Sequence, residues 1–416
     1  MTTSAAPART ADTGKDTAVS AGAFVAGSDA PETPQVKVGF MALTDCASIV
    51  MAHELGFDRQ HGVTIVPTRE ASWARLRDKL VAGELAYAQA LYGLPYGVHL
   101  GISGPRTDMA VLMTLNHNGQ GLSIARSLAD QGATDLNGLA ALIRREHRTF
   151  TFAQTFPTGT HAMWLYYWLA SAGIHPMADV RAIVVPPTRM VGFVRDGSVD
   201  GFSAGEPWNH RGIMDGVTVH GAASQDIWKD HPEKVLACTA AQVRDCPNTT
   251  RAVMAAVLQA SRWIDASPAN RLRMAETIAG SAYVNTSVDA ISERIQGHYQ
   301  DGMGRHWQDP NHLHFFNEGF VNFPCLSDGM WFMTQFRRWG LLKQHPDYLG
   351  VATQINQVAL YRDVAGALGI ATPTDDMRSD TLIDGTVWNG REPARYADAF
   401  AIRAATVQPA DAALPA

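Results

Sequence analysis

The sequence predicts an α/β protein built as two lobes around a cleft, and three observations predict it. Short apolar runs alternate with helical runs from residue 36 to residue 203, the pattern of a mostly parallel sheet covered on both faces. Two polar junctions interrupt that alternation, Asn116-His117-Asn118-Gly119-Gln120-Gly121 and residues 227–235 (IWKDHPEKV), and read as two crossings between lobes. After the second crossing the chain turns largely helical. The division that follows is an N-terminal arm at 1–35, a first lobe of 36–118 with 236–416, and a second lobe of 119–235.

The arm is rich in Ala, Thr, Ser, Asp and Pro and reads as disordered. Residues 36–43 are the first strand. Thr44 and Asp45 cap a helix that runs to Leu55 and stops at Gly56. Strands at 63–67, 85–91 and 108–115 alternate with helices at 74–82 and 95–100. Beyond the first junction come a strand at 122–126, a helix at 135–145 and a strand at 149–153. Pro157, Thr158 and Gly159 then break the chain, and an apolar run rich in Trp and Tyr reads as a buried helix capped by Thr158 or Thr160, with His161 in its first turn. A strand at 180–185, Pro186-Pro187, a short helix through Arg195 and a strand at 201–203 lead to Gly205-Glu206-Pro207-Trp208-Asn209. A strand at 236–239 is followed by helices at 249–264, 269–279, 288–299 and 327–342. The last 45 or so residues are polar and irregular and wrap the surface.

Composition narrows the functional classes. The 416 residues are 46% hydrophobic and 18% charged, ordinary for a folded protein, with a formal net charge of -6. The one Arg cluster, Arg144, Arg145 and Arg148, reads as a solvated helix end, so direct nucleic-acid binding is not expected. No apolar stretch approaches the ~20 residues of a membrane span. Cys46, Cys238, Cys246 and Cys325 are scattered and suit neither a zinc site nor a disulfide framework. Residues 18–27 lack the apolar core and basic start of an export signal, so the expectation is a cytoplasmic protein.

Ligands of open α/β sheets bind beyond the carboxyl ends of strands at switch points. Trp73, Asn118, Gln120, His161, Gly205, Glu206 and Lys234 fall at such ends or at the crossings. Each also has a structural reading: Trp73 as core, the carboxamides as turn formers, Glu206 as a cap, Lys234 as an exposed lysine. What favours function is their chemistry. Apart from Glu206 they offer N–H donors, which suits a small anion. A strand, a glycine turn and a helix start, as at 149–161, present backbone N–H groups and the positive end of a helix dipole. The signatures GxSxG, HExxH, the P-loop and GxGxxG are all missing, so no enzyme is expected. His312-Leu313-His314 lacks a third ligand at a compelling spacing, so no metal or cofactor is expected.

At these residues the chain resembles a known family. VGFMALTDCASIVMAHELGF, EASWARLRDKLVAGE, LNHNGQGLSIA, FPTGTHAMWLYYWLASAGI, GEPWN and IWKDHPEKVL together resemble the nitrate- and bicarbonate-binding proteins of the NrtA/CmpA type. The resemblance implies a type II periplasmic-binding-protein fold whose two α/β lobes close on one anion. It further implies that nitrate or nitrite is held by Trp73, His161, Lys234 (with Lys229 as rival) and Gln120 (or Asn118, if the turn is shifted), with Pro187 and Gly205 lining the cleft through backbone. A bicarbonate ligand would need an acceptor for its O–H, for which Glu206 is the candidate. With no export signal expected, the chain looks like the NasS branch, cytoplasmic nitrate/nitrite sensors that hold and release a NasT-like ANTAR antiterminator and so control nitrate-assimilation genes. The alternative is a periplasmic substrate-binding subunit of a nitrate/nitrite or bicarbonate ABC transporter. If His161 binds as an imidazolium, affinity falls as pH rises past ~6.5.

Overall fold

The computed structural model describes residues 29–102 and 104–404. Ten strands form two five-stranded sheets. They are β1 (Gln35–Phe40), β2 (Thr64–Arg69), β3 (Tyr87–Leu91), β4 (Met109–His117), β5 (Gln120–Ala125), β6 (Phe150–Gln154), β7 (Val180–Val184), β8 (Gly201–Gly205), β9 (Thr218–Ala223) and β10 (Pro232–Thr239). The first sheet has the order β2-β1-β3-β10-β4 and the second β7-β6-β8-β5-β9. Pairings among β1, β2 and β3, and among β6, β7 and β8, are parallel. The crossing strands are the exceptions: β10 runs antiparallel to β3 and β4, and β5 antiparallel to β8 and β9.

That arrangement follows from the two junctions. β4 leaves the first sheet and β5 enters the second across Asn118 and Gly119, with φ of 58° and 79°. A carboxamide side chain and a glycine tolerate this left-handed turn, which a β-branched residue would resist. The return passes from β9 through a helical turn at Ser224–Ile227 into β10, which joins the first sheet at Pro232, four residues ahead of Leu236.

The arm lies mostly outside the described residues. Within them, Glu32 accepts from the backbone N–H groups of Asn248 and Thr249 and from the Thr249 hydroxyl, and β1 begins at Gln35. Thr44 and Asp45 do not cap the following helix: Thr44–Cys46 is a 3-10 turn ahead of the helix Ala47–Glu54, with no side-chain cap. Helices at Tyr348–Ile355 and Val358–Ala367 and the strand β9 were not expected from the sequence. The helix expected to reach residue 299 ends at Ile295, where Gly297 (φ 79°) turns the chain into a hairpin of His298–Gln300 and His306–Gln308. That hairpin docks on the second lobe, through His220 N–H to the Asp301 carbonyl at 3.0 Å.

The helix Thr160–Ser171 is buried on every side from Thr160 to Ala170. Its Trp164 packs against Trp331 and Trp228, with ring centroids 5.1 and 6.2 Å away. Such an aromatic nest fixes the helix start, and with it His161, against both lobes.

Candidate functional site

The amino ends of β5 and β10, the carboxyl end of β8 and the loop after β1 converge on one buried polar cluster. Gln120 opens β5 and pairs in register with Gly205, the last residue of β8. Lys234 enters from β10 with its side chain fully buried. Its Nζ lies 2.9 Å from Asp45 Oδ2, 2.9 Å from Glu233 Oε1 and 3.3 Å from Gln120 Oε1. His161, second residue of its helix, places Nε2 2.8 Å from Gln120 Oε1, while its Nδ1 meets the Thr155 hydroxyl at 2.7 Å. Gln120 Nε2 donates to Asp45 Oδ2 at 3.2 Å, which orients Oε1 toward His161 and Lys234. Nε2 of His161 therefore carries the proton and Nδ1 accepts from Thr155. The Trp73 ring centroid stands 5.9 Å from Lys234 Nζ. The indole is 1% exposed, and its N–H has no hydrogen-bond partner among the described residues.

Gly205 is required by close approach. A Cβ there would lie 2.6 Å from Gln120 Oε1, 3.1 Å from Leu43 Cδ2 and 3.3 Å from Asp45 Oδ2. Three inter-lobe hydrogen bonds hold this contact: Thr44 N–H to the Glu206 carbonyl at 2.8 Å, Trp208 Nε1 to the Ala42 carbonyl at 2.9 Å, and Gln120 to Asp45.

Five of the candidate residues thus meet: Trp73, Gln120, His161, Gly205 and Lys234. Asn118 does not bring its amide to the cluster. It sits at the crossing with Nδ2 3.2 Å from Asp230 Oδ1, and offers its carbonyl to Gln120 Nε2 at 3.3 Å. Pro187 begins the helix Pro187–Arg195 and lines an outer inter-lobe cleft of about 610 Å3, with Met41, Glu70 and Trp208. Lys229 is exposed. Glu206 is buried, but its Oε1 lies 3.4 Å from Arg294 and its Oε2 accepts from His210 N–H. His312 and His314 lie elsewhere, bonded to the Asp309 and Pro310 carbonyls.

Two residues that the sequence did not mark as site candidates sit at the centre. Asp45 accepts from Gln89 and Gln120 and pairs with Lys234. Glu233 accepts from the Thr160 hydroxyl, from Trp164 Nε1 at 2.7 Å and from Lys234. Burial raises the Asp45 carboxyl above its ordinary value, with Lys234 opposing. Burial alone would lower the Lys234 ammonium, but Asp45 and Glu233 outweigh it and the net shift is upward. Burial, with Lys234 and His231 nearby, drives His161 well below its ordinary value. The ring is neutral at pH 7, so the imidazolium titration anticipated above is not available to it. Chemically the site is a buried nest of N–H donors with one ammonium, and carboxylates already occupy part of it.

Fold and site together define a two-lobed ligand-binding protein of the periplasmic-binding-protein fold. The chain belongs to the NMT1-like family, whose profile it matches over residues 29–279, and within it to the nitrate- and bicarbonate-binding NrtA/CmpA proteins. The nitrate/nitrite binding protein NrtA of Synechocystis sp. is 33% identical over 398 residues, covering 91% of this chain and 88% of that one. A nitrate import ATP-binding protein, NrtC, of the same organism is 31% identical over 391 residues, covering 92% of this chain and 58% of its own length. The crystal structure of the periplasmic nitrate-binding protein NrtA from Synechocystis PCC 6803 matches with a TM-score of 0.85 and 31% identity, over 89% of this chain and 99% of that one. The NrtA relatives are named for binding nitrate or nitrite.

Proposed function

We propose that the chain binds a small oxyanion, nitrate or nitrite, between its lobes and serves as the substrate-binding component of an anion import system. The observation that carries this reading is the convergence of Lys234 Nζ, His161 Nε2–H, the Gln120 amide and the unpartnered Trp73 N–H beside Gly205. A weakly hydrated, planar anion is matched by fixed N–H donors and an indole wall. The kinship with nitrate/nitrite-binding and nitrate-import proteins supports the same ligand and the same process. The sensor reading, with a NasT-like ANTAR partner in the cytoplasm, keeps this ligand chemistry, but no relative reported above has that role, so transport is the better supported reading.

The test is titration calorimetry of the desalted full chain against nitrate, nitrite, bicarbonate and chloride, with cell fractionation of the native protein. Saturable binding of nitrate or nitrite, no response to chloride and recovery from the periplasm support the proposal. Bicarbonate alone as ligand would reassign the substrate. Recovery from the cytoplasm in complex with an RNA-binding protein would replace transport with sensing. No response to any of the anions would refute the ligand assignment.

A further inference from the structure

Asp45 is absent from the expected ligand set, yet it occupies the centre of the site. Its carboxyl is 1% exposed. One oxygen accepts from the Gln89 amide, and the other lies 2.9 Å from Lys234 Nζ and 3.2 Å from Gln120 Nε2. The same oxygen stands 3.3 Å from the Cβ position of Gly205, at the inter-lobe contact itself. The ammonium and carboxamide that an incoming anion needs are therefore already engaged by a carboxylate of this chain.

The charges around Asp45 make the conflict definite. From β10 come Lys234 and Glu233. From the helix Thr160–Ser171 comes His161, linked through Gln120, with His231 beyond it and lowered to about 3 by burial. Cys46, next in the chain, is a buried thiol pushed upward by burial and by Asp45. Gln89 on β3 and Gln120 on β5 are uncharged. Lys234 is the one lysine or arginine paired with either carboxyl among the described residues. With both carboxyls ionised, the trio carries two negative charges against one positive. A bound monoanion would raise that imbalance among side chains that are 0–1% exposed, where isolated charge is least tolerated.

We infer that the anion enters together with one proton from solvent, carried by Asp45. The carboxylate becomes a carboxyl group, Lys234 is released to pair with the anion, and the new Asp45 O–H is one more donor toward it. One anion and one proton enter, so the charge of the site is unchanged, and nothing is oxidised or reduced. The raised Asp45 value in the unliganded site agrees with a carboxyl that gains a proton readily. The inference rests on the reading that an anion binds here.

The experiment is calorimetry of nitrate binding to the full chain in PIPES and in Tris, whose ionisation enthalpies differ, repeated across pH. Uptake of about one proton per nitrate is expected, with affinity falling about tenfold per pH unit above neutrality. Asp45→Asn should abolish the uptake and flatten the pH profile. Nitrate binding without proton exchange and with one affinity from about pH 6 to about pH 8 would overturn the inference. Uptake that survives in Asp45→Asn and vanishes in Glu233→Gln would overturn the assignment to Asp45. The proton count on the unaltered protein decides the matter even if a variant fails to fold. Failure of nitrate to bind at any pH would instead refute the ligand assignment on which this rests.

Discussion

Replacing Lys234 with methionine tests the electrostatic account of the site without any ligand. The methionine side chain is close in length, so the change removes the ammonium more than it removes volume. Lys234 is fully buried and lies 2.9 Å from both Asp45 and Glu233. Removing one partner of a buried ion pair costs ~3–5 kcal/mol, because the charge left behind has neither water nor a partner. Here two carboxyls are left behind, so the upper part of that range is expected, a large share of the ~5–15 kcal/mol that holds a typical domain folded. The sign with pH is fixed by Asp45. Its folded value is already raised by burial, so its contribution is full below its unfolded value and is lost as pH rises through the folded one. Without Lys234 to oppose burial, that loss deepens. Urea unfolding should show the Lys234→Met penalty at about pH 7.5 and a smaller one at lower pH, where the raised Asp45 carboxyl gains its proton. Adding Asp45→Asn to Lys234→Met should restore more than ~1 kcal/mol, the signature of coupled neighbours. A variant within ~1 kcal/mol of the parent at pH 7.5, or a penalty independent of pH, would refute the buried pairing.

Two further substitutions probe the binding surface. Gly205→Ala puts a methyl group 2.6 Å from Gln120 Oε1; nitrate affinity should fall at least ~tenfold, with a stability cost of ~1–3 kcal/mol from overpacking, and unchanged affinity in calorimetry would show that the anion sits elsewhere. Trp73→Phe keeps a ring beside Lys234 but deletes an N–H that has no partner among the described residues; loss of one hydrogen bond to the anion predicts affinity lower by ~0.5–1.5 kcal/mol, and an unaltered titration curve would remove the indole from the site.

How far the site was legible depended on which side of a contact each residue stood. The strand and helix alternation was readable because its periodicity is local, and the crossings because polar, Gly-bearing junctions interrupt apolar runs. His161 was readable because a strand, a glycine turn and a helix start are contiguous. β9 escaped notice because His220 and Gly221 break its alternation, and the helices at 348–355 and 358–367 because each is only two or three turns long. Asp45 and Glu233 failed for another reason. Asp45 bonds Gln89 and Gln120, 44 and 75 positions away, and Glu233 bonds Thr160 at 73. In sequence each carboxyl has only a local meaning, a helix cap in one case and a neighbour of a lysine in the other. The family resemblance named the donors, Trp73, His161, Lys234 with Lys229 as rival, and Gln120 or Asn118, because those are the groups expected to touch an anion. It was silent on the acceptors that hold the donors in place, and those set the charge of the cluster. A donor inventory alone predicts a cationic cradle, whereas the folded chain pairs its own carboxylate with the ammonium and the carboxamide of that cradle. Any account of affinity in this site must therefore begin with what happens to Asp45 when the anion arrives.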